Sequence, residues 1–333
     1  MLNGSNVLVA GGTGFIGSNL ALSLVDKGCR VKATINRRPP PYDNSELEYI
    51  RVDLTNMEDC KRAVRGIDYV FMCAASTSGA AVINTNPLIH VTPNVIMNAS
   101  IMDAAYKAGV KKFLFLSSNA AYPPTDDRPV KESQMFIGDP YDSYYGVGWM
   151  KRYGEILSIM YSQRLNPRMP VVVVRPSNVY GPLDDFEFGT SHMMAASIRR
   201  VVERHRPMEI WGTGNDVRDL IYIDDLVDGI IAVFEKTKCY SAVNLASGQG
   251  HTVKEVLKTI ANVDGFTDAE MIFDPSKPST IPVRLIDTAM ARNQFGIEPR
   301  ISFREGIRKT LRWYREAKLG HDQTAPKIAK ANE

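Results

Sequence analysis

Residues 144 to 155 read YYGVGWMKRYGE, and their phenols and ammonium are the groups with which a hydride-transfer enzyme moves a proton. A tyrosine and a lysine four residues apart share one face of a helix. Here Lys151 lies six residues after Tyr145 and seven after Tyr144. At about 100° per residue, six residues turn the side chains well apart, whereas seven restore the face at a separation of about 10 Å. Neither pair works in an unbroken helix. Gly146 and Gly148 lie in the gap, so an irregular entry is expected, a loop or bulge that folds Tyr145 back over Lys151, with Tyr144 as the second candidate.

A second group of residues prepares a phosphate site. NVLVAGGTGFIGSNLALSLVDKG is an apolar strand, a turn, and apolar residues at helical spacing ending at Gly28. Gly11 permits the tight bend, Gly14 lets a pyrophosphate approach the backbone, and Gly17 lets the helix pack closely; Thr13, Phe15 and Ile16 complete the turn. The next strand, RVKATI, ends at Asn36-Arg37-Arg38, where an NAD site offers a carboxylate to the ribose. Two guanidiniums there suit a 2′-phosphate, so NADP is expected, with NAD as the other option. LEYIRVDLTN ends a third strand at Asp53-Leu54, and DYVFMCAAS a fourth, whose small Ala74 and Ala75 leave room for a cofactor.

These groups need a scaffold of alternating strands and helices. The helix NVIMNASIMDAAYKAGV and the strand KKFLFLSS continue the alternation, so the expected fold is α/β, a doubly wound parallel sheet of the Rossmann type over residues 1–176 with a returning strand near 241–247. After VVVVRPSNVYGP the alternation stops, and 177–333 reads mainly as a smaller substrate lobe. Asn178 follows the strand's carboxyl end, where its backbone and amide can meet a pyrophosphate.

The motifs GGTGFIG, DLTN, FLFLSSNAAYP, RPSNVYGP, WGTGNDVRDLIYIDDLVDGI, VNLASGQGHTVKEV and GIRKTLRWY, in this order, resemble the extended short-chain dehydrogenase/reductases, the NAD-dependent epimerase/dehydratase family. Within it, NVYGPLDDFEFGTSHMMAASIRR followed by IWGTGNDVRD is most similar to the GDP-L-fucose synthase-like branch. The resemblance implies that a tyrosine phenol exchanges a proton with a sugar oxygen as hydride passes to or from the nicotinamide. Lys151 lowers the phenol's pKa, and a serine, Ser118 in preference to Ser117, completes the hydrogen bonding. The segment KRYGE matches the family's usual run from its lysine onward, which places two extra residues before Lys151. The resemblance further implies that Arg218 neutralises the diphosphate of a nucleotide sugar with Arg284 contributing, and that Arg199 and Arg200 meet phosphate or base. His192 stands in the family's SH motif, but Asn119 or Ala120 occupies the place of its partner cysteine and of the dehydratases' acids. Neither side chain exchanges protons, so double epimerisation and dehydration lose support and redox chemistry or inversion at C4 remains. The alternative is a weakened family member that binds NAD(P) as a sensor or scaffold.

The bulk numbers agree with this class. Forty basic against 37 acidic residues leave a formal charge of +3, too mild to point to nucleic acid. No apolar run approaches a membrane span, and MLNGSNVLVA leaves no room for a signal peptide, so a cytoplasmic protein is expected. Four cysteines without paired spacing suggest neither a disulfide framework nor a metal site. Helices NVIMNASIMDAAYKA and KRYGEILSIMYSQRL are apolar on more than one face, and in the resembled family they pair across a two-fold axis, implying a homodimer.

Overall fold

The run VVVV in VVVVRP is apolar at every position because the strand it begins is covered on both faces. In the computed structural model, which describes residues 1–42, 44–76, 88–277 and 281–320, such runs form β1 (Asn6–Ala10), β2 (Arg30–Ile35), β3 (Leu47–Arg51), β4 (Tyr69–Met72), β5 (Lys112–Leu116) and β6 (Val171–Pro176). The chain then builds β7 (Asn178–Tyr180), β8 (Met208–Trp211) and β9 (Val217–Tyr222) before β10 (Tyr240–Leu245) returns to lie beside β6. The main sheet has seven parallel strands in the order β10-β6-β5-β4-β1-β2-β3.

Successive side chains of a strand point to opposite faces, and this divides the interior into two cores. Val7, Val9, Val172 and Val174 pack with Leu20, Leu24 and Phe234 on one face, under α1 (Phe15–Asp26). Leu8, Val70, Val171 and Val173 pack with Cys60, Met97 and Ile101 on the other, under α2 (Met57–Ala63) and α3 (Leu88–Lys107). The helix α4 (Tyr145–Ile159) packs against α3, and α5 (Met193–Val202) begins the helices of the lobe. The helix α6 (Ile223–Lys236) follows β9 and crosses back onto α1, β6 and β10, so part of the chain beyond residue 177 belongs to the main sheet.

The lobe is built around β9. Strand β11 (Gly250–Thr252) runs antiparallel to it, while β7 and β13 (Val283–Arg284) run parallel. Beside this sheet, β12 (Met271–Asp274) pairs with β8, and α7 (Val253–Asp264) packs against α5 and α9 (Phe303–Tyr314), with α8 (Ala289–Phe295) against β10. Strand order reverses between β1 and β4, and an open α/β sheet binds its ligand in the crevice at the carboxyl ends beside such a reversal. Among the described residues no helix is long and apolar enough to cross a membrane.

Candidate active site

The turn after β1 is built from close backbone approaches. Gly11 has φ +86°, and a Cβ there would come within 2.6 Å of the Ala74 Cα at the end of β4. A Cβ on Gly17 would strike the Gly11 carbonyl, whereas on Gly14 it would meet only that oxygen at 3.3 Å. The fold therefore needs glycine at 11 and 17 for its own packing, but leaves the ground over Gly14 open save for that one oxygen. That open ground is at the N-terminus of α1, whose unpaired N–H groups favour an anion and whose first turn holds no acidic residue. Thr13, Phe15 and Ile16 are half-buried around it. A dinucleotide pyrophosphate fits this cradle.

Around the turn, Asn36, Arg37 and Arg38 are exposed after β2, and Arg38 Nη2 lies 3.0 Å from Asp185 Oδ2. Asp53 turns back on Thr55, accepting from its N–H at 2.9 Å and its hydroxyl at 2.7 Å, while Leu54 is buried. Ala75 is exposed, and Ser76 beside it is held by Asn94, which donates to its carbonyl at 2.9 Å.

Lys151 forms the floor. Its Nζ donates to the Leu116 carbonyl at 2.8 Å and lies 5.3 Å from the Phe115 ring centre, at the end of β5. Burial pushes the ammonium down to about 8, with the Cys73 thiol and Glu155 pulling upward. Two candidate serines separate here. Ser117 is buried and donates to Glu155 Oε1 at 2.5 Å, whereas half-buried Ser118 accepts the Ala120 N–H at 3.1 Å with the oxygen of its hydroxyl.

The expected irregular entry to the helix does not form. Tyr145 is the first residue of α4, which runs without a bulge through Lys151 to Ile159. Its glycines are contact points: a Cβ on Gly146 would come within 3.0 Å of Val91 on α3, on Gly148 it would collide with Pro140, and on Gly154 with the Phe115 ring. At 148 and 154 the helix lies so close to its neighbours that a Cβ collides, at 146 it is tight against one methyl, and tertiary contact overrides the low propensity of the residue. Tyr145 consequently points away from the floor; it is 53% exposed, with its ring edge-on to Trp149 at 6.5 Å. Residue Val147 stands four before Lys151. Tyr144 ends a short turn, Asp142–Tyr144, and is half-buried. Burial lowers the pKa of the Arg218 guanidinium, and Tyr144 lies close enough to pull it back upward.

Beneath this surface a polar network fixes the floor. Arg175 on β6 meets Glu155 on α4 through two bonds, Nε at 3.0 Å and Nη2 at 2.5 Å, with both side chains buried. The same guanidinium donates to the Tyr122 hydroxyl at 2.9 Å, and that hydroxyl donates to Asn244 Oδ1 on β10 at 2.6 Å. Arg152 donates to the Ala121 carbonyl at 2.8 Å and the Gly138 carbonyl at 2.5 Å. The loop from Ser117 to Tyr122 is thus tied to α4, β6 and β10. Sequence reasoning missed Glu155, Arg175 and Asn244. A signal existed, because an arginine inside VVVVRP and a glutamate one helical turn after Lys151 are both charges on otherwise buried faces.

On the lobe side, Arg218 and Arg284 are register partners in β9 and β13. Arg284 is 2% exposed and donates to the carbonyls of Pro123 at 3.1 Å and Tyr122 at 3.4 Å. Its Nε has no partner, and among the described residues no carboxylate pairs with it. Burial lowers its guanidinium to about 10, and the like charge of Arg218 acts in the same direction. Arg218 donates to the carbonyls of Ile281 and of Val217, the latter at 3.0 Å, and faces Asp216 at 3.3 Å. Two adjacent, desolvated cations present a site for a polyanion. Asn178 is half-buried at the start of β7, opposite Leu220 of β9.

His192 is exposed at the position preceding α5. Arg200 is half-buried with its guanidinium 4.9 Å from the Phe188 ring centre. Arg199, over the same ring at 4.3 Å, is paired with Glu187 at 3.1 Å and Glu203 at 2.9 Å, as an ordinary structural arginine would be.

Residues 7–246 match the model of the NAD dependent epimerase/dehydratase family. The chain is 30% identical over 323 residues to a probable GDP-L-fucose synthase 1 of Oryza sativa subsp. japonica, with 94% of this chain and 93% of that protein covered. It is 30% identical to GDP-L-fucose synthase of Escherichia coli strain K12, with 93% and 96% covered. Among solved structures, a UDP-glucose 4-epimerase of Thermotoga maritima with UDP-glucose superposes with a TM-score of 0.84 at 27% identity, covering 93% of this chain and 99% of that one.

Proposed function

The chain belongs to the NAD dependent epimerase/dehydratase family, and from that footing we propose that it is an NAD(P)-dependent oxidoreductase or epimerase acting at C4 of a nucleotide-diphosphate sugar, with a GDP-sugar favoured. The observation that carries the reading is the pair of half-buried Arg218 and buried Arg284, adjacent cations of which the deeper has no carboxylate partner among the described residues. A sugar nucleotide supplies the diphosphate such a pair requires, and the GDP-sugar names of the relatives favour that base.

The bound cofactor supplies or accepts the hydride. The chain's own residues do the rest. The glycine turn from Gly11 to Gly17 receives the pyrophosphate, with Ala74 and Ala75 beside it. Lys151 offers an ammonium to the nicotinamide ribose, and its position at the end of β5 supports that role. Ser118, with a hydroxyl not tied to the Glu155 pair, holds the reacting oxygen. Tyr144 replaces Tyr145 as the proton-exchanging phenol, because it sits half-buried in the turn Asp142–Tyr144 ahead of α4, outside the helix spacing that fixes exposed Tyr145, and near Arg218. Asn178 and Arg200 line the nucleotide, while the two candidates for the place of His192's partner cysteine relay no proton: Ala120 has no polar side chain, and Asn119 donates to the Pro176 carbonyl at 3.0 Å. Redox chemistry at C4, without proton exchange at its neighbours, is the reaction these side chains can support.

Arg37 and Arg38 favour NADP over NAD. Fluorescence titration is expected to give a lower Kd for NADPH than for NADH, and Arg38→Ala is expected to shrink that ratio. A wild-type protein that prefers NADH would refute the assignment.

The protein is proposed to act as a homodimer. Trp149, Tyr153, Ile156 and Met160 recur at helical spacing along α4 and its continuation, all at least 41% exposed, and Ile89 and Ile96 of the adjoining α3 are exposed as well. A second copy of the same face is the self-complementary partner that a two-fold axis provides. Light scattering is expected to return about twice the 37.0 kDa of the chain, and Trp149→Lys with Ile156→Lys to return the monomer. A monomer mass for the wild type at micromolar concentration counts against it.

A further inference from the structure

The geometry points to Asp185, a residue of the substrate lobe, as a selectivity determinant that weakens the preference for a 2′-phosphorylated cofactor; the inference rests on the proposed role of Arg38 in holding that phosphate. Arg38 is 147 residues away in sequence, yet its Nη2 lies 3.0 Å from Asp185 Oδ2. The lobe holds this carboxylate in place. Asp185 also accepts the Thr190 hydroxyl at 2.8 Å and the Glu187 N–H at 3.1 Å. Leu183, two residues earlier, has φ +70°, in the left-handed region that a leucine adopts only when its surroundings impose it. Asn19 of α1 completes the tether, its amide bonding both the Phe15 carbonyl at 2.9 Å and the Pro182 carbonyl at 3.1 Å. The segment bearing Asp185 is therefore fastened to the phosphate-binding helix on one side and to the loop after β2 on the other.

The consequence for the cofactor is electrostatic. Partial burial pushes the Asp185 carboxyl up, but the bonds from Thr190 and Glu187 and the charge of Arg38 outweigh it and hold the group below the usual carboxylate range, so it is an anion at neutral pH. A 2′-phosphate, with its larger negative charge, draws Arg38 away from the half-buried carboxylate, since the guanidinium is exposed and pairs at the surface contribute only about 0.2–1 kcal/mol. The displaced carboxylate stays beside the phosphate, because its other bonds do not depend on Arg38. A free 2′-hydroxyl neither competes for Arg38 nor suffers that repulsion. Asp185 thus penalises NADP and spares NAD.

The test is Asp185→Asn, which removes the charge, keeps an acceptor oxygen for the Glu187 N–H, and lets the new amide group donate to the Thr190 hydroxyl in place of the bond it accepted. Titration of the whole protein with NADPH and NADH is expected to show NADPH binding tightened about three- to fivefold, the equivalent of a surface ion pair, with NADH altered less than about twofold. The gain is expected to shrink at high salt. An unchanged NADPH to NADH ratio, or an equal change in both affinities, overturns the proposal. Arg38→Ala reads the underlying assignment by itself: if it leaves the ratio untouched, Arg38 is not the phosphate ligand, whereas a shift in the ratio with Asp185→Asn then still supports direct repulsion by Asp185.

Discussion

Tyr144→Phe is expected to lower turnover by about 10²–10⁴-fold, the usual contribution of a positioned acid or base, with cofactor affinity almost unchanged. Tyr145→Phe is expected to leave turnover within about threefold, since that ring lies against Trp149 on the exposed face of α4. The contrast arises from where α4 begins. Tyr144 ends the turn ahead of the helix and is half-buried, whereas Tyr145 is the first helical residue and faces outward, 53% exposed. Val147 fills the position four before the lysine, where it presents only methyl groups. Steady-state kinetics with a GDP-linked 4-keto sugar and NADPH reads the result; loss of activity in Tyr145→Phe alone would return the role to that residue.

The second large effect concerns the floor rather than the reacting groups. Glu155→Ala leaves the buried Arg175 without its counter-charge, and removing one member of a buried pair costs about 3–5 kcal/mol. The variant is expected to unfold at a markedly lower urea concentration than the wild type. Ser117→Ala, which removes one hydrogen bond to the same carboxylate, is expected to cost only about 1 kcal/mol. If the two variants unfold at the same denaturant concentration, the ion pair is not the contact that holds α4 against β6.

The main sheet was legible in the sequence because each strand carries its own record: apolar runs of strand length, glycines where backbone meets backbone, and helical spacing between them. The glycine turn was readable for the same reason, since all its constraints are local. Gly146 and Gly148 misled, because a glycine that breaks a helix and one that lets a helix press against Val91 or Pro140 look alike until the neighbour is known. Arg284 and Arg218 could be named from motifs, but their adjacency in β13 and β9 is a register fact with no local trace. The Arg38–Asp185 contact lies further still from any reading of neighbours, joining two loops that belong to different layers of the fold.

The return of β10 to β6 also governs how the chain is made. Strand β6 is complete at Pro176, but its outer edge pairs only with residues 240–245, so throughout synthesis of the intervening lobe an unbroken valine run presents unpaired N–H and C=O groups. An open, apolar edge is a template for pairing with another chain. Vectorial synthesis therefore leaves this edge open from the emergence of Val171 until that of the strand ending at Leu245, and a truncation between Pro176 and Tyr240 is expected to keep it open.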